Sequence, residues 1–228
     1  MKTEKGGEYE IDDRNRVRQV REAARYDRAT VHAILDAGLS AHVAFCDRDR
    51  PVIMPMIYAR DGETLYLHGA RKARIVRLLE SGAEATLNVT LIDGIVAARS
   101  AFNSSVNYRS VTIFGRPRLV EDEAEKIEAM RLISEHLMPE RWDELRPPHD
   151  REVKMTGVIA LPIESASAKV TAGPPEDEEE DYALPVWAGV VPVEQVFGAP
   201  EADPELAPDT PVSSALERLA RSSRNPRR

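Results

Sequence analysis

Short apolar stretches separated by tight-turn residues are the feature that most restricts how this chain can fold. Asp61-Gly62 and Asp93-Gly94 are pairs that favour two-residue hairpin turns. They predict one hairpin with strands over 51–58 and 64–68, and a second with strands over 85–91 and 95–99. Further strands are predicted over 39–46, 108–120 and 153–163. Six or seven short strands, mostly joined as hairpins, predict a mainly β (α+β) fold, a closed or nearly closed antiparallel barrel.

Three helices are predicted among these strands. Asp27 is a good N-cap for a helix that ends near Ala37, and Gly38 follows as a stop signal. Apolar residues at helical spacing predict two more helices, over 73–81 and 121–138. Strict alternation of strand and helix is absent, as are the GxGxxG and P-loop motifs. We therefore expect neither a dinucleotide-binding Rossmann domain nor an NTPase.

Composition limits the partners and the compartment that we expect. The 228 residues carry a net charge of −8, so neither nucleic acid nor an anionic membrane is an expected partner. A single cysteine, Cys46, excludes an internal disulfide framework and a cysteine-built zinc site, and no metal site is predicted. No segment has the pattern of a signal peptide or a membrane span, so we expect a cytoplasmic protein.

Charge and turn residues also predict the domain boundaries. Residues 1–24 are highly charged and are expected to form a flexible arm, and residues 25–197 form the barrel domain. Residues 198–228, rich in Pro, Ala, Ser and Arg, are expected to be a disordered tail with a weak helix near Leu216 and Leu219. Residues 165–181 are expected to be a loop, whose acidic run at 176–181 is solvated.

Positive charge collects where the strand over 64–68 turns into the helix over 73–81, in the sequence LYLHGARKARIVRLLESG. Gly69 permits close approach to the backbone, and Arg71, Lys72 and Arg74 can donate charge-assisted hydrogen bonds. This pattern is typical of a phosphate site. It is equally typical of a solvated basic helix face, and these residues alone do not decide between the two.

Two longer segments carry a family resemblance. PVIMPMIYARDGETLYLHGARKAR, followed by VTLIDGIVAARSAFNSSVNYRSVTIFGRPRLVEDEAEK, resembles the pyridoxamine 5'-phosphate oxidase-like split-barrel superfamily, in the branch of the nitroimidazole-resistance proteins. The resemblance implies an FMN-binding split β-barrel that is a homodimer with the flavin at the subunit interface. Basic residues that bind the substrate phosphate in true pyridoxamine 5'-phosphate oxidases are not found, so vitamin B6 oxidation is not expected.

The resemblance also implies site residues. The strand at 52–55 is expected to run beside the flavin ring, and the turn at 68–74 to hold the phosphate. A polar loop that approaches the flavin, often from the opposite subunit, and a closing tryptophan complete the set. The implied cofactor-binding residues are Val52, Ile53, Met54, Pro55, His68, Gly69, Ala70, Arg71, Lys72, Arg74, Arg99, Ser100, Asn107, Arg109 and Trp187.

His68 and Tyr108 are the predicted catalytic residues. His68 can donate a hydrogen bond or a proton near neutral pH, but a histidine at a strand end is also often structural. Tyr108 would pack on the flavin ring or line the substrate entrance, and the alternative is a core residue at the barrel rim. For Trp187, closure of the flavin site and simple closure of the core remain equal alternatives.

Three functions stay open at this stage. The first is an FMN-dependent oxidoreductase acting on a small molecule, in particular a nitroaromatic one. The second is a non-catalytic flavin or haem carrier or a sensor, for which His32, His42, His136 and His149 remain open as haem ligands. The third is a reductase that uses a deazaflavin coenzyme, whose acidic tail would need a longer cationic groove.

Overall fold

A computed structural model of the protein describes residues 7–222, which fold into two antiparallel sheets. Short strands separated by turns produce this arrangement, as the sequence predicts. The strands are β1 (Ala24–Arg25), β2 (Ala41–Asp47), β3 (Arg50–Met56), β4 (Tyr58–Asp61), β5 (Thr64–Ala70), β6 (Ala85–Ala97), β7 (Ser105–Gly115), β8 (Arg118–Leu119), β9 (Thr156–Pro162), β10 (Ser165–Thr171) and β11 (Gly189–Pro192).

The larger sheet has seven strands and is organised around β6. One edge of β6 pairs with β7. Its other edge is shared, because β2 pairs with residues 86–88 and β11 pairs with residues 94–97. The order β1-β10-β7-β6-β2-β3 leaves β3 at the edge of the sheet. The smaller sheet has the order β4-β5-β9-β8.

The core lies between the two sheets. Alternate residues of β6 and β7, such as Leu87 and Ile113, are fully buried, and Leu65 and Leu67 of β5 face them from the smaller sheet. This is the period-two pattern of strands that bury one face. A second, smaller cluster around Val158 and Ala160 lies where the smaller sheet packs against a helix.

Five α-helices lie within residues 7–222. The Asp27 side chain accepts a hydrogen bond from the Thr30 N–H, so the predicted N-cap is confirmed. Asp122 caps a long helix in the same way through the Glu125 N–H. The helices are α1 (Arg28–Ala37), α2 (Arg74–Leu79), α3 (Glu123–Leu137), α4 (Asp150–Met155) and α5 (Ser214–Arg221).

Three predicted elements are wrong in detail. Asp93-Gly94 does not form a hairpin turn, because β6 runs straight through it with a register shift against β7. Gly94 instead allows β11 to approach, since a Cβ there would lie 2.8 Å from a methyl group of Val190. The predicted loop at 165–171 is strand β10, and the predicted strand over 153–163 begins with the end of α4.

The predicted arm contains residues that pack on the barrel. The Tyr9 hydroxyl donates a hydrogen bond to Glu63 Oε2 at 2.7 Å, and burial raises the pKa of Tyr9. The buried Asn15 amide donates hydrogen bonds to Glu10 O and Ala166 O. The predicted weak helix near Leu216 corresponds to α5. Residues 1–6 and 223–228, which belong to the predicted arm and tail, lie outside the described residues, and the division into arm, domain and tail stays a prediction.

Close packing of the two sheets at Gly115 gives a test of this fold. A Cβ at Gly115 would lie 2.1 Å from Pro162 O, so the Gly115→Ala variant has to push apart the ends of β7 and β9. We expect the free energy of unfolding to fall by about 2 to 3 kcal/mol, the upper part of the range for overpacking. The measurement is urea unfolding followed by tryptophan fluorescence.

Gly198→Ala is the matched control, because a Cβ at Gly198 meets no atom within 4 Å. Equal stability of the two variants would show that β7 and β9 do not approach as described.

Candidate functional site

Strand β3 presents the predicted flavin-facing residues at the edge of the larger sheet. Within the described part of the chain, β3 pairs with β2 along one side and with no strand along the other. Ile53 is 67% exposed and Met54 is 38% exposed, which is unusual for apolar strand residues. Val52 packs partly against the core, and Pro55 is exposed. The strand therefore offers free backbone groups and an apolar surface to a flat ring.

The turn from β5 to α2 carries the predicted phosphate-binding residues. Gly69 and Gly157 are paired across β5 and β9, and a Cβ at Gly157 would lie 2.6 Å from Val76. The two glycines therefore let α2 pack closely over the end of the sheet. The N–H of Arg71 donates to Met155 O at 2.8 Å, and that of Ala73 to Ala70 O at 2.8 Å, so the turn has a defined conformation.

The arginines of this turn are engaged by carboxylates. Arg71 Nη1 lies 2.8 Å from Glu80 Oε2, and Arg74 forms an ion pair with Asp47. Both pairs are near the surface, where an ion pair contributes at most about 1 kcal/mol. Lys72 is exposed and has no ion pair with any residue between 7 and 222. Arg71 and Arg74 are thus held in place by carboxylates but can exchange these partners.

The Arg74–Asp47 pair also links the turn to the edge strand. Asp47 is the last residue of β2, and it pairs with Arg50, the first residue of β3. The predicted phosphate clamp and the beginning of the predicted ring-binding strand are therefore neighbours. This contact could not be predicted from a local pattern, because Asp47 and Arg74 are 27 residues apart.

His68 lies on β5, immediately before this turn. It pairs with Val158 of β9, and its buried Nδ1 has no hydrogen-bond partner among residues 7–222. Burial lowers the pKa of His68 below its usual value, because a charged imidazolium would lose solvation. His68 is therefore a neutral imidazole at pH 7, able to bind a metal or to accept a hydrogen bond.

The predicted polar loop forms a second group, at the end of the β6–β7 hairpin. Arg109 binds Asp93 through two hydrogen bonds of 2.8 and 2.9 Å. The Asn107 side chain donates to Gly173 O, and the Tyr108 N–H donates to Thr171 Oγ1. Tyr108 is half-buried. Asn107 and Tyr108 therefore bind the end of β10 and the segment that follows it, whereas the Arg109 side chain binds β6.

Arg99 is anchored by the acidic run. Its N–H and Nη1 both donate to the Asp177 carboxylate at 2.8 Å, and its guanidinium carbon lies 5.0 Å from the centre of the Tyr182 ring. The Asp177 side chain is 0% exposed, so the expectation of a fully solvated acidic loop is wrong at this position. Ser100 closes the neighbouring turn, accepting a hydrogen bond from the Asn103 N–H at 3.1 Å.

Trp187 is on the surface, 68% exposed, two residues before β11. Its ring covers Gly189, where a Cβ would come within 3.0 Å of the indole. The interpretation of Trp187 as a core residue is therefore wrong for this single chain. Closure of a site by Trp187 stays a prediction.

Two of the other histidines make side-chain contacts within residues 7–222. His32 Nε2 lies 2.9 Å from Glu63 Oε1, and His136 Nε2 lies 2.6 Å from Gly38 O. His149 is the N-cap of α4. His42 is exposed on β2.

Comparison with known proteins places these observations in a family. The family model described as pyridoxamine 5'-phosphate oxidase matches residues 27–170, which is more than half of the chain. The chain belongs to this family. The predicted family and the split-barrel fold are therefore confirmed. Comparison with curated proteins gives no match.

Two solved structures resemble the chain along most of its length. A flavocytochrome from Azotobacter vinelandii is 43% identical, over 91% of this chain and 97% of its own, with a TM-score of 0.86. An FAD- and haem-binding protein from Mycobacterium smegmatis is 33% identical, over 90% of this chain and 100% of its own, with a TM-score of 0.86. A structure described as a 5-nitroimidazole antibiotic resistance protein, from Bacteroides thetaiotaomicron, is 20% identical over 64% of this chain and 86% of its own, with a TM-score of 0.56. It shares the fold.

None of the helices within residues 7–222 has the length and apolar character that crossing a membrane requires.

The buried Asp177 gives a first test of the second group. In Asp177→Asn, Arg99 loses its charged partner, and we expect the free energy of unfolding to fall by about 1.5 to 3 kcal/mol. Urea unfolding measures the change. Glu176→Gln, an exposed change in the same acidic run, is the control and should leave stability unchanged. Equal effects would mean that Arg99 is not held by Asp177.

The lowered pKa of His68 gives a second test, through the pH dependence of stability. The unfolded chain, with a histidine pKa of about 6.5, binds a proton at His68 more readily than the folded protein does. The contribution of neutral His68 is therefore complete above about pH 6.5 and is lost as the pH falls towards the folded pKa. Urea unfolding between pH 5 and 8 should show a steeper loss for the wild type than for His68→Asn. Parallel curves would contradict the lowered pKa.

Proposed function

We propose that this protein binds a flavin and a haem and works as an oxidoreductase. The observation that carries the proposal is the similarity to two proteins whose descriptions state these cofactors, at 43% and 33% identity over at least 90% of the chain. Vitamin B6 oxidation is not proposed, although the family carries the name of that reaction. A bound flavin accepts and donates electrons or hydride, and the protein supplies binding and orientation.

The residues of the β5–α2 turn fit the phosphate groups of a flavin. Arg71, Lys72 and Arg74 provide charge-assisted donors on neighbouring positions. To bind phosphate, Arg71 and Arg74 would exchange the carboxylates of Glu80 and Asp47 for phosphate oxygens. The free edge of β3 fits the ring, because its exposed backbone groups can form hydrogen bonds with the ring edge and its apolar side chains can exclude water.

For the flavin we favour FAD over the FMN predicted from the sequence. The relative that is 33% identical is described as FAD-binding, and it covers nearly the whole chain. A deazaflavin coenzyme is less favoured, because Arg99 and Arg109, which would extend the cationic groove, are engaged by Asp177 and Asp93.

We further propose a homodimer formed through the outer face of the larger sheet. A sheet ordinarily buries both faces or keeps a polar one, whereas this face and its edge expose Ile53, Ile92 and Ile95. A second copy would bury these side chains and bring its polar loop to the edge strand. The substrate would be a small molecule that enters beside His68 and Tyr108.

An absorption spectrum of the purified protein tests the proposed cofactors. We expect the bands of an oxidised flavin together with a Soret band. Release by heat followed by chromatography identifies FAD or FMN. A protein without colour after expression with ample riboflavin and haem precursor would contradict the proposal.

The phosphate clamp is tested by replacing two arginines together. In Arg71→Ala/Arg74→Ala, the flavin phosphates lose two charged donors, and we expect binding to weaken by about 2 to 3 kcal/mol. This corresponds to a roughly 30- to 150-fold rise in Kd. Titration of the apoprotein with flavin, followed by fluorescence quenching, measures the change.

Two variants act as controls for this experiment. Arg77→Ala removes an exposed arginine from the last turn of α2 and should leave Kd unchanged. Asp47→Asn removes the carboxylate that pairs with Arg74 and should lower Kd, whereas Asp49→Asn in the adjacent turn should not. An unchanged Kd in the double variant would make these arginines ordinary surface residues.

A further inference from the structure

The segment that follows β10 exposes an apolar surface between the acidic run and β11. Tyr182 is 56% exposed and Trp187 is 68% exposed, and Leu184 and Val186 between them are exposed as well. The Val186 N–H donates to Leu184 O at 2.8 Å, and the Trp187 ring covers Gly189, so the segment has a defined shape. Exposed apolar groups that are rimmed by polar residues mark sites of protein–protein contact.

The acidic run at 176–181 forms the rim of this surface and is itself held in place. Asp177 is the anchor, because its carboxylate accepts two hydrogen bonds from Arg99. The Arg99 guanidinium also lies over the Tyr182 ring, which belongs to the apolar surface. A short 3-10 helix, Glu179–Ala183, joins the run to that surface. The charged rim and the apolar surface are therefore one structural unit.

Four carboxylates of the run are left without a compensating charge. All four are exposed, and none forms an ion pair with any residue between 7 and 222. Like charges on neighbouring positions repel one another, and a cationic partner would relieve this repulsion. The four residues are Glu176, Glu178, Glu179 and Glu180.

Charge also decides which occupant suits the surface. A two-fold contact between two copies, centred here, would bring two acidic runs together, and each copy carries a net charge of −8. A cationic protein meets complementary charge instead. Aromatic side chains at the centre and charged groups at the rim are the usual composition of such a contact. Electron-transfer complexes in particular are small and are steered by opposite charges.

We propose that the surface formed by Tyr182, Leu184, Val186 and Trp187, with the acidic run as its rim, docks a cationic electron-transfer protein. The proposal rests on the proposed function, because an electron partner is needed only if the protein carries a redox cofactor. In the complex, one electron passes between the reduced cofactor of one protein and the oxidised one-electron centre of the other. No bond forms and no proton moves in this step.

The acidic rim is tested with oxidised mitochondrial cytochrome c, a cationic one-electron protein, as the probe. Isothermal titration calorimetry on the protein with its cofactors should show binding at about 0.01 M salt, where charges act over about 30 Å, and none at about 1 M, where they act over about 3 Å. In Glu178→Gln/Glu179→Gln/Glu180→Gln, we expect Kd to rise about tenfold at low salt.

A second triple variant controls for net charge. Glu10→Gln/Glu121→Gln/Glu123→Gln removes the same charge from exposed positions away from the surface, two of them at the start of α3, which packs on the smaller sheet. Its Kd should change by less than about twofold, because these charges are remote from the contact.

Trp187→Ala tests the apolar part of the surface. Tryptophan at the centre of a contact is often a hot spot, so we expect Kd to rise at least about tenfold. Leu145→Ala, which removes another exposed apolar side chain, should leave Kd unchanged. Flavin content of the same samples should equal that of the wild type. After reduction, Trp187→Ala should also reduce ferric cytochrome c more slowly than the wild type does.

Several results would overturn the docking surface. They are equal Kd values for the two triple variants, binding that is independent of salt, and loss of flavin in Trp187→Ala, which would assign this side chain to the flavin site. Dissociation of an oligomer in Trp187→Ala, seen by sedimentation velocity, would show that a second copy is the occupant. A wild type that carries both cofactors but does not bind the probe overturns this inference alone. A wild type that binds the probe but carries no cofactor overturns the proposed function.

Discussion

The antiparallel pairing of β6 with β7 is the interaction on which the rest of the structure depends. The ladder joins residues 85–96 to residues 105–115 and is the longest in the two sheets. β10 is added to β7, and both β2 and β11 are added to the far edge of β6. Without this ladder neither the edge strand β3 nor the closing strand β11 would have a place to pair.

Carboxylates govern the electrostatics of the candidate site. The chain has a net charge of −8, yet its predicted site contains many cations. Asp47, Glu80, Asp93 and Asp177 each hold one of these arginines. The pairs differ in burial. The Asp177 side chain is fully buried and makes Arg99 part of the framework, whereas the pairs of Arg71 and Arg74 lie near solvent and can exchange their partner for a phosphate.

The sequence predicted elements that depend on local signals and missed those that depend on distant contacts. The helix capped by Asp27 and the turn at Asp61-Gly62 follow from neighbouring residues, and both are confirmed. The strand that enters this turn is β4, whereas most of the predicted strand over 51–58 is β3 and pairs with β2 in the other sheet. The turn predicted at Asp93-Gly94 is wrong. Pairing of β6 with β7 and the approach of β11 outweigh the preference of these two residues for a turn. The strand at 165–171 was missed because small and polar residues carry little strand signal.

For the candidate site too, local sequence signals could be read and distant contacts could not. The cationic turn and His68 could be predicted as one group because they are consecutive in sequence. Their carboxylate partners were not found, since Asp177 is 78 residues from Arg99, and no sequence pattern joins residues so far apart. Pro51 and Pro55 of β3 can be read from the sequence. Their effect on strand pairing follows only from the position of β3 at the edge of the sheet.

Pro51 and Pro55 affect how the free edge of β3 can interact with other molecules. A strand with a free edge can recruit strands from other molecules, and an exposed isoleucine such as Ile53 increases that tendency. Proline has no N–H to donate, so these two residues interrupt the row of donors that a foreign strand would need. A newly made copy is thereby less able to stack with other copies through this edge into fibrils.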